Sequence, residues 1–153
     1  MKTLANPADR EEIVLRVMNV RPDSPRQWGK MTATQMICHL ADSFRVMIGE
    51  KPAVSPMKSP LPAGVTKWLA LYSGMPWPKG VPTRPEVDAF LNGTRPAAFT
   101  ADVEELVRLV NRFSSAARDF QWQPHPLFGM MPDRDWLRWG YLHMNHHLRQ
   151  FGA

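Results

Sequence analysis

The sequence has little of what marks most specialised proteins. A single cysteine, Cys38, excludes an internal disulfide framework. No apolar run approaches the roughly 18 residues that a membrane span requires. The opening residues, Met-Lys-Thr-Leu-Ala-Asn-Pro-Ala-Asp-Arg-Glu-Glu, lack the apolar stretch and cleavage site of a secretory signal. Alternating apolar–polar strand patterns are scarce, and there is no internal repeat. These absences favour a cytoplasmic, all-α protein that does not enter a membrane.

Charge is also undistinguished in its arrangement. Lysine and arginine outnumber aspartate and glutamate by 19 to 14, for a net charge of +5. No run of five like charges occurs, so the excess reads as solvated faces. Aromatic and basic residues do not interleave as in RNA-binding modules, and charge alone makes nucleic acid the weakest candidate partner. A length of 153 residues fits one domain, residues 1–153. A chain of this size buries about 70% of its unfolded surface, enough for a core without staples.

What is present is helical periodicity. A first helix is expected over about 8–20, with Ile13, Val14, Val17 and Met18 apolar. Thr32-Ala-Thr-Gln35 is a capping box opening a second helix over about 32–49. Residues 50–98 hold most of the 15 prolines and read as irregular, with a short helix over Ala63 to Ser73. A loop of that length is often functional, as a lid, strap or subunit contact. Thr100 is the expected N-cap of a third long helix, about 101–118, with Val103, Leu106, Val107, Val110 and Phe113 as its stripe and Glu104–Arg108 as an exposed pair. A last helix begins near Asp133 or Asp135 and runs to Phe151. Four long amphipathic segments with one long proline-rich crossover describe a four-helix bundle.

The chemistry concentrates in the last helix. His143 and His147 stand four residues apart, neighbours on one face at about 5–6 Å between Cβ atoms. At about 100° per residue they share the apolar direction of Trp139, Gly140, Gln150 and Phe151, opposite Arg138, Asn145 and Arg149. Two inward imidazoles are costly to bury unless something satisfies them. A metal ion does so, and imidazole suits zinc, nickel, copper and iron.

A catalytic metal site commonly needs a third protein ligand. The candidates are His39, His125, Asp42 and other carboxylates. His39, at the edge of the apolar sector of the second helix, is favoured. His125 either closes the site from above or caps the last helix. His146 lies about 60° off the pair and suits an outer-shell or interface role. Gln150, one turn past His147, is placed to orient that ring or bind water, with Asp42 a further outer partner. Cys38 reads as a packed thiol. No residue stands out as a catalytic acid or base.

The segments Trp28-Gly-Lys-Met-Thr-Ala-Thr-Gln-Met-Ile-Cys-His39-Leu-Ala-Asp, His125-Pro-Leu-Phe-Gly and His143-Met-Asn-His146-His147-Leu-Arg-Gln-Phe-Gly together resemble the DinB/YfiT-like superfamily, closest to a bacterial branch of unknown function. The resemblance runs from the first helix to Gly152. It implies an up–down–down–up four-helix bundle with a long crossover between the second and third helices. It implies a metal triad of His39, His143 and His147, holding zinc or nickel, with iron as a further choice. It also implies a homodimer, and chemistry of the thiol-transferase or hydrolase type on a small molecule, including low-molecular-weight thiols. The alternative is a non-catalytic bundle that holds a metal or ligand. The extra histidines and the proline-rich crossover fall outside the superfamily's general pattern, so substrate and reaction do not carry over.

Overall fold

The computed structural model describes residues 1–53 and 57–153. Among the described residues the chain is all-helical, with no strand: α1 (Pro7–Met18), α2 (Ala33–Met47), α3 (Ala63–Tyr72), α4 (Phe99–Ser114) and α5 (Asp133–Gln150), with a 3-10 turn at Pro85–Val87 before α4.

Local chemistry explains where the helices begin. Asn6 caps α1 by accepting from the Ala8 N–H at 2.9 Å, and Pro7 supplies a preset first turn. Thr32 and Gln35 make both bonds of the capping box at the start of α2. The start of α4 differs from expectation. Thr100 lies inside the helix, and Ala98 is the N-cap without a side-chain bond. Asp102 instead reaches back to the Ala97 N–H at 3.1 Å, which satisfies a free amide without a hydroxyl cap. This helix also ends at Ser114, because Ser115 turns extended at ψ 138°. Arg108 pairs with Glu105 rather than Glu104, since Glu105 also receives Arg45 from α2 at 2.7 Å.

Packing follows the apolar stripes. α2 lies along α4, α1 packs on α5 and α4, and α3 lies against α5. Phe44 of α2 and Phe113 of α4 meet edge-to-face at 4.7 Å between ring centres, and Trp136 and Trp139 of α5 complete the aromatic core. Fully burying one such side chain contributes about 2–3 kcal/mol. Gly140 permits the close approach of α5. A Cβ there would stand 2.7 Å from Leu4 Cδ1 and 3.0 Å from Phe113 Cε1.

The proline-rich crossover is more organised than its composition suggests. α3 is pinned to α5 by Lys67 Nζ, 2.8 Å from the buried Asp135 carboxylate, and by the Tyr72 hydroxyl, which donates to the same group. Burial opposes charge on Asp135, but Lys67 and Tyr72 outweigh it and lower its pKa. The crossover is thereby held beside α2 and α5, where it walls a cavity.

Candidate metal centre

His39 comes from the middle of α2, and His143 and His147 from consecutive turns of α5. One nitrogen from each ring lies within 4.8 Å of the others. His39 Nδ1 sits 2.9 Å from the Val87 carbonyl in the 3-10 turn. A carbonyl only accepts, so Nδ1 carries the proton and Nε2 presents a lone pair.

His147 is fixed by a longer chain of the same logic. The Gln150 amide donates through Nε2 to the Trp28 carbonyl at 2.8 Å. Its Oε1 therefore faces His147 Nδ1, 3.0 Å away, which must donate and leave Nε2 bare. The approach of Trp28 to Gln150 depends on Gly29, at φ +80°, where a Cβ would lie 2.4 Å from Gln150 Nε2.

His143 Nε2 lies 3.3 Å from His39 Nε2, while its Nδ1 is fully buried without a hydrogen-bond partner among the described residues. With His39 Nε2 bare, either proton position on His143 costs something. Protonating Nε2 leaves a buried Nδ1 lone pair unsatisfied. Protonating Nδ1 leaves an orphan donor and sets two lone pairs against each other. Each unsatisfied group costs about 1–3 kcal/mol.

The donor set fits a divalent ion. Burial, followed for His143 and His147 by repulsion from neighbouring imidazoles, lowers the pKa of all three rings, so they are neutral ligands near neutral pH. Nitrogens bound to one tetrahedral ion at about 2.0–2.1 Å stand about 3.3–3.4 Å apart. His39 and His143 already have that spacing, at 3.3 Å.

The other sequence candidates take different places. Asp42 is buried, three residues after His39 on α2, but makes no hydrogen bond to the triad among the described residues. Its two oxygens are taken by Lys51 Nζ at 2.6 Å, Arg45 at 3.1 Å, and the Thr94 amide and hydroxyl at 2.6 and 2.8 Å. His125 does not cap α5. Its Nδ1 accepts from the Leu127 and Phe128 amides of its own turn. His146 packs between the rings of Trp28 and Trp77, 5.9 and 6.0 Å away, and touches His147. Cys38 is buried away from the rings, and burial with nearby Asp102 and Asp42 pushes its thiol up to about 12, which denies it a thiolate at neutral pH.

The three rings open on a cavity of about 850 Å³. Its walls are mostly apolar and include Trp28, Met31 and Met47 on one side, Trp77 and Val81 from the crossover, and Phe128. The carbonyls of Trp28 and Val87 were not legible in the sequence, because every residue carries one and only the fold selects which are used. Trp77, 6.0 Å from His143, also lay hidden inside the proline tract.

Residues 8–153 match the model of a family described as a protein of unknown function (DUF1569). No curated protein and no solved structure matches the chain.

Proposed function

We propose that this chain, which belongs to the DUF1569 family, is a metal-dependent enzyme of the DinB-like superfamily that activates a thiol or a water against a small molecule. The observation that carries this reading is the convergence of three neutral imidazole nitrogens within 4.8 Å, two of them with protons locked away from the common point.

His39, His143 and His147 would hold the ion, zinc or nickel in the first instance and iron as a further choice. When bound, such an ion supplies Lewis acidity that lowers the pKa of a water or thiol reaching it. The chain's own groups prepare that role. Val87 and Gln150 fix the tautomers of His39 and His147, and hydrogen bonds of this kind raise ligand basicity. Trp28, Trp77 and the methionine-lined wall make the space beside the rings apolar and shape it. No carboxylate hydrogen-bonds to the three rings among the described residues: Asp42 is fully engaged, and Asp88, which lines the cavity, accepts the Phe90 amide. The absence of a carboxylate bonded to the rings favours a thiol, which ionises more readily than water. The same lack is what a non-catalytic metal- or ligand-holding protein would show.

The proposal carries with it the four-helix bundle in up–down–down–up order, one domain over 1–153, cytoplasmic location and a homodimer. Elemental analysis of protein purified without a polyhistidine tag tests it. About one ion per chain is expected, and none in the double variant His143→Ala with His147→Ala. Wild-type protein that stays empty when offered zinc and nickel would end the metal reading. Metal without an exchangeable position, read from the spectrum of the cobalt form, would leave the non-catalytic alternative. Assay against low-molecular-weight thiols with electrophiles then separates transfer from hydrolysis.

A further inference from the structure

His125 is built into the cavity wall in a way that the triad does not explain. It heads a tight turn, His125-Pro-Leu-Phe-Gly129, closed by paired backbone bonds: His125 N–H to the Gly129 carbonyl at 2.9 Å and Gly129 N–H to the His125 carbonyl at 2.8 Å. Gly129, at φ +70°, allows the chain to return on itself. The imidazole stacks on Phe128, with ring centres 4.1 Å apart and planes 9° apart. Its Nδ1 accepts two backbone amides, Leu127 at 3.1 Å and Phe128 at 3.2 Å. Two donors converging on Nδ1 leave the neutral ring a single tautomer, with its proton on Nε2. That Nε2 has no hydrogen-bond partner among the described residues. That nitrogen is not fully enclosed, and the residue lines the cavity. Trp139 spans the gap to the triad, its ring centre 5.7 Å from His125 and 4.8 Å from His143.

We propose that His125 is a specificity-determining residue, a fixed neutral donor whose Nε2–H binds an oxygen acceptor of the substrate, and that the cavity takes an uncharged, largely apolar molecule carrying a carbonyl or similar acceptor. This rests on reading the cavity as the substrate pocket of the proposed enzyme. The mostly apolar wall of the cavity supports an uncharged ligand. Of the charged residues that line it, Lys30 is exposed, Asp88 is half-buried, and Arg84, the cation that acts on His125, is paired with Glu86. Burial, with Arg84 adding to it, lowers the imidazole pKa to about 3, so the donor stays neutral across the physiological range. A neutral donor suits a neutral acceptor, because a buried imidazolium beside Arg84 would itself need an anion.

Two probes of the same shape test the proposal: acetophenone, and α-methylstyrene, which has a CH2 in place of the carbonyl oxygen. His125→Asn keeps an oxygen for the two turn amides, as in an Asx turn, and removes the ring donor. The affinity ratio of acetophenone to α-methylstyrene is expected to fall about tenfold from wild type to His125→Asn, the loss of one hydrogen bond to a buried donor. In wild type the His125 Nε2 proton resonance should move downfield with acetophenone and not with α-methylstyrene, a result that does not depend on the variant folding. Both measurements are made on protein as purified and after metal removal. An unchanged ratio, an unmoved resonance or no detectable acetophenone binding overturns the proposal. An acetophenone preference seen only with metal present assigns the oxygen to the ion and also overturns it, while leaving the metal reading intact. An empty triad with the preference retained would do the reverse.

Discussion

His39 and Asp42 lie three residues apart on α2, both buried, with opposite surroundings. Asp42 is closed: four donor groups occupy its two oxygens, and two of them are cations. Burial opposes charge on this carboxyl, yet Lys51 and Thr94 outweigh it and hold its pKa below the usual value. His39 is open. Its Nδ1 is satisfied by Val87, while its Nε2 faces another imidazole nitrogen at 3.3 Å. A buried polar group that is fully partnered stabilises the fold, whereas one left short of a partner waits for a ligand. The difference separates framework from function on a single helix.

The largest effect expected from this contrast is metal-linked stability. Zinc at about 1,000 times its Kd should raise the unfolding free energy by about 4 kcal/mol. The gain should vanish in His39→Ala and persist in Asp42→Asn. Urea denaturation with and without zinc reads both, and an equal gain in His39→Ala would dissolve the distinction.

Without metal the order should reverse. Asp42→Ala leaves Lys51 and Arg45, their side chains only 21% and 24% exposed, without their shared anion. Breaking such a pair costs about 3 kcal/mol. His39→Ala removes ring packing but also the conflict with His143, and should cost about 1 kcal/mol or less. Metal-free denaturation midpoints decide it, and a costlier His39→Ala would mean that the triad is a structural cluster.

Parts of this contrast were legible in the sequence and parts were not. The i,i+4 spacing of His143 and His147 and the apolar sector of α5 placed both rings inward, because helical periodicity is local information. The capping box at Thr32 and Gln35 was readable for the same reason. Thr100 was misread because a hydroxyl near a helix start looks like a cap whether or not it is used, and Asp102 supplied the alternative. The closure of Asp42 was invisible, since Thr94 reaches it from the far end of the crossover. The turn at His125 could have been suspected from His-Pro-x-x-Gly, but the direction of the ring nitrogens depends on amides that only the folded turn brings together.

A smaller effect should come from the groups that orient His147. Gln150→Ala should weaken zinc binding about 10–100-fold, the usual cost of losing a partner behind a metal-ligating imidazole. Gly29→Ala should do nearly the same without touching the histidine. Its new Cβ would lie 2.4 Å from Gln150 Nε2 and displace the amide from the Trp28 carbonyl. Competition with a chromogenic zinc chelator measures both. Wild-type affinity in both variants would show that His147 needs no support.

The smallest effect concerns acid, and it separates the α4 carboxylate that pairs with Arg45 of α2 from the imidazoles by pH. Glu105 accepts two bonds from Arg108, at 2.7 and 2.8 Å, and one from Arg45, at 2.7 Å. These guanidinium groups, Arg108 first and against an opposing burial contribution, lower its pKa to about 2 from 4.5. Unfolding therefore takes up a proton below pH 4.5, so the stabilisation is complete above that value and is lost as pH falls toward 2. The side chain is 30% exposed, and screening should reduce the contribution to about 1 kcal/mol. The buried imidazoles, with pKa values lowered from 6.5, act in a higher window: metal-free stability is complete above pH 6.5 and declines as pH falls below it. Glu105→Gln should flatten the stability curve between pH 4.5 and 2 and leave the limb above pH 5 unchanged, while His39→Ala should make the limb that begins near 6.5 less steep, the other buried imidazoles keeping the rest. Urea titrations across that range would tell them apart. If both variants altered the same limb, the Glu105 carboxylate on α4 and the imidazoles would be electrostatically one site, and the separation into two pH windows would not hold.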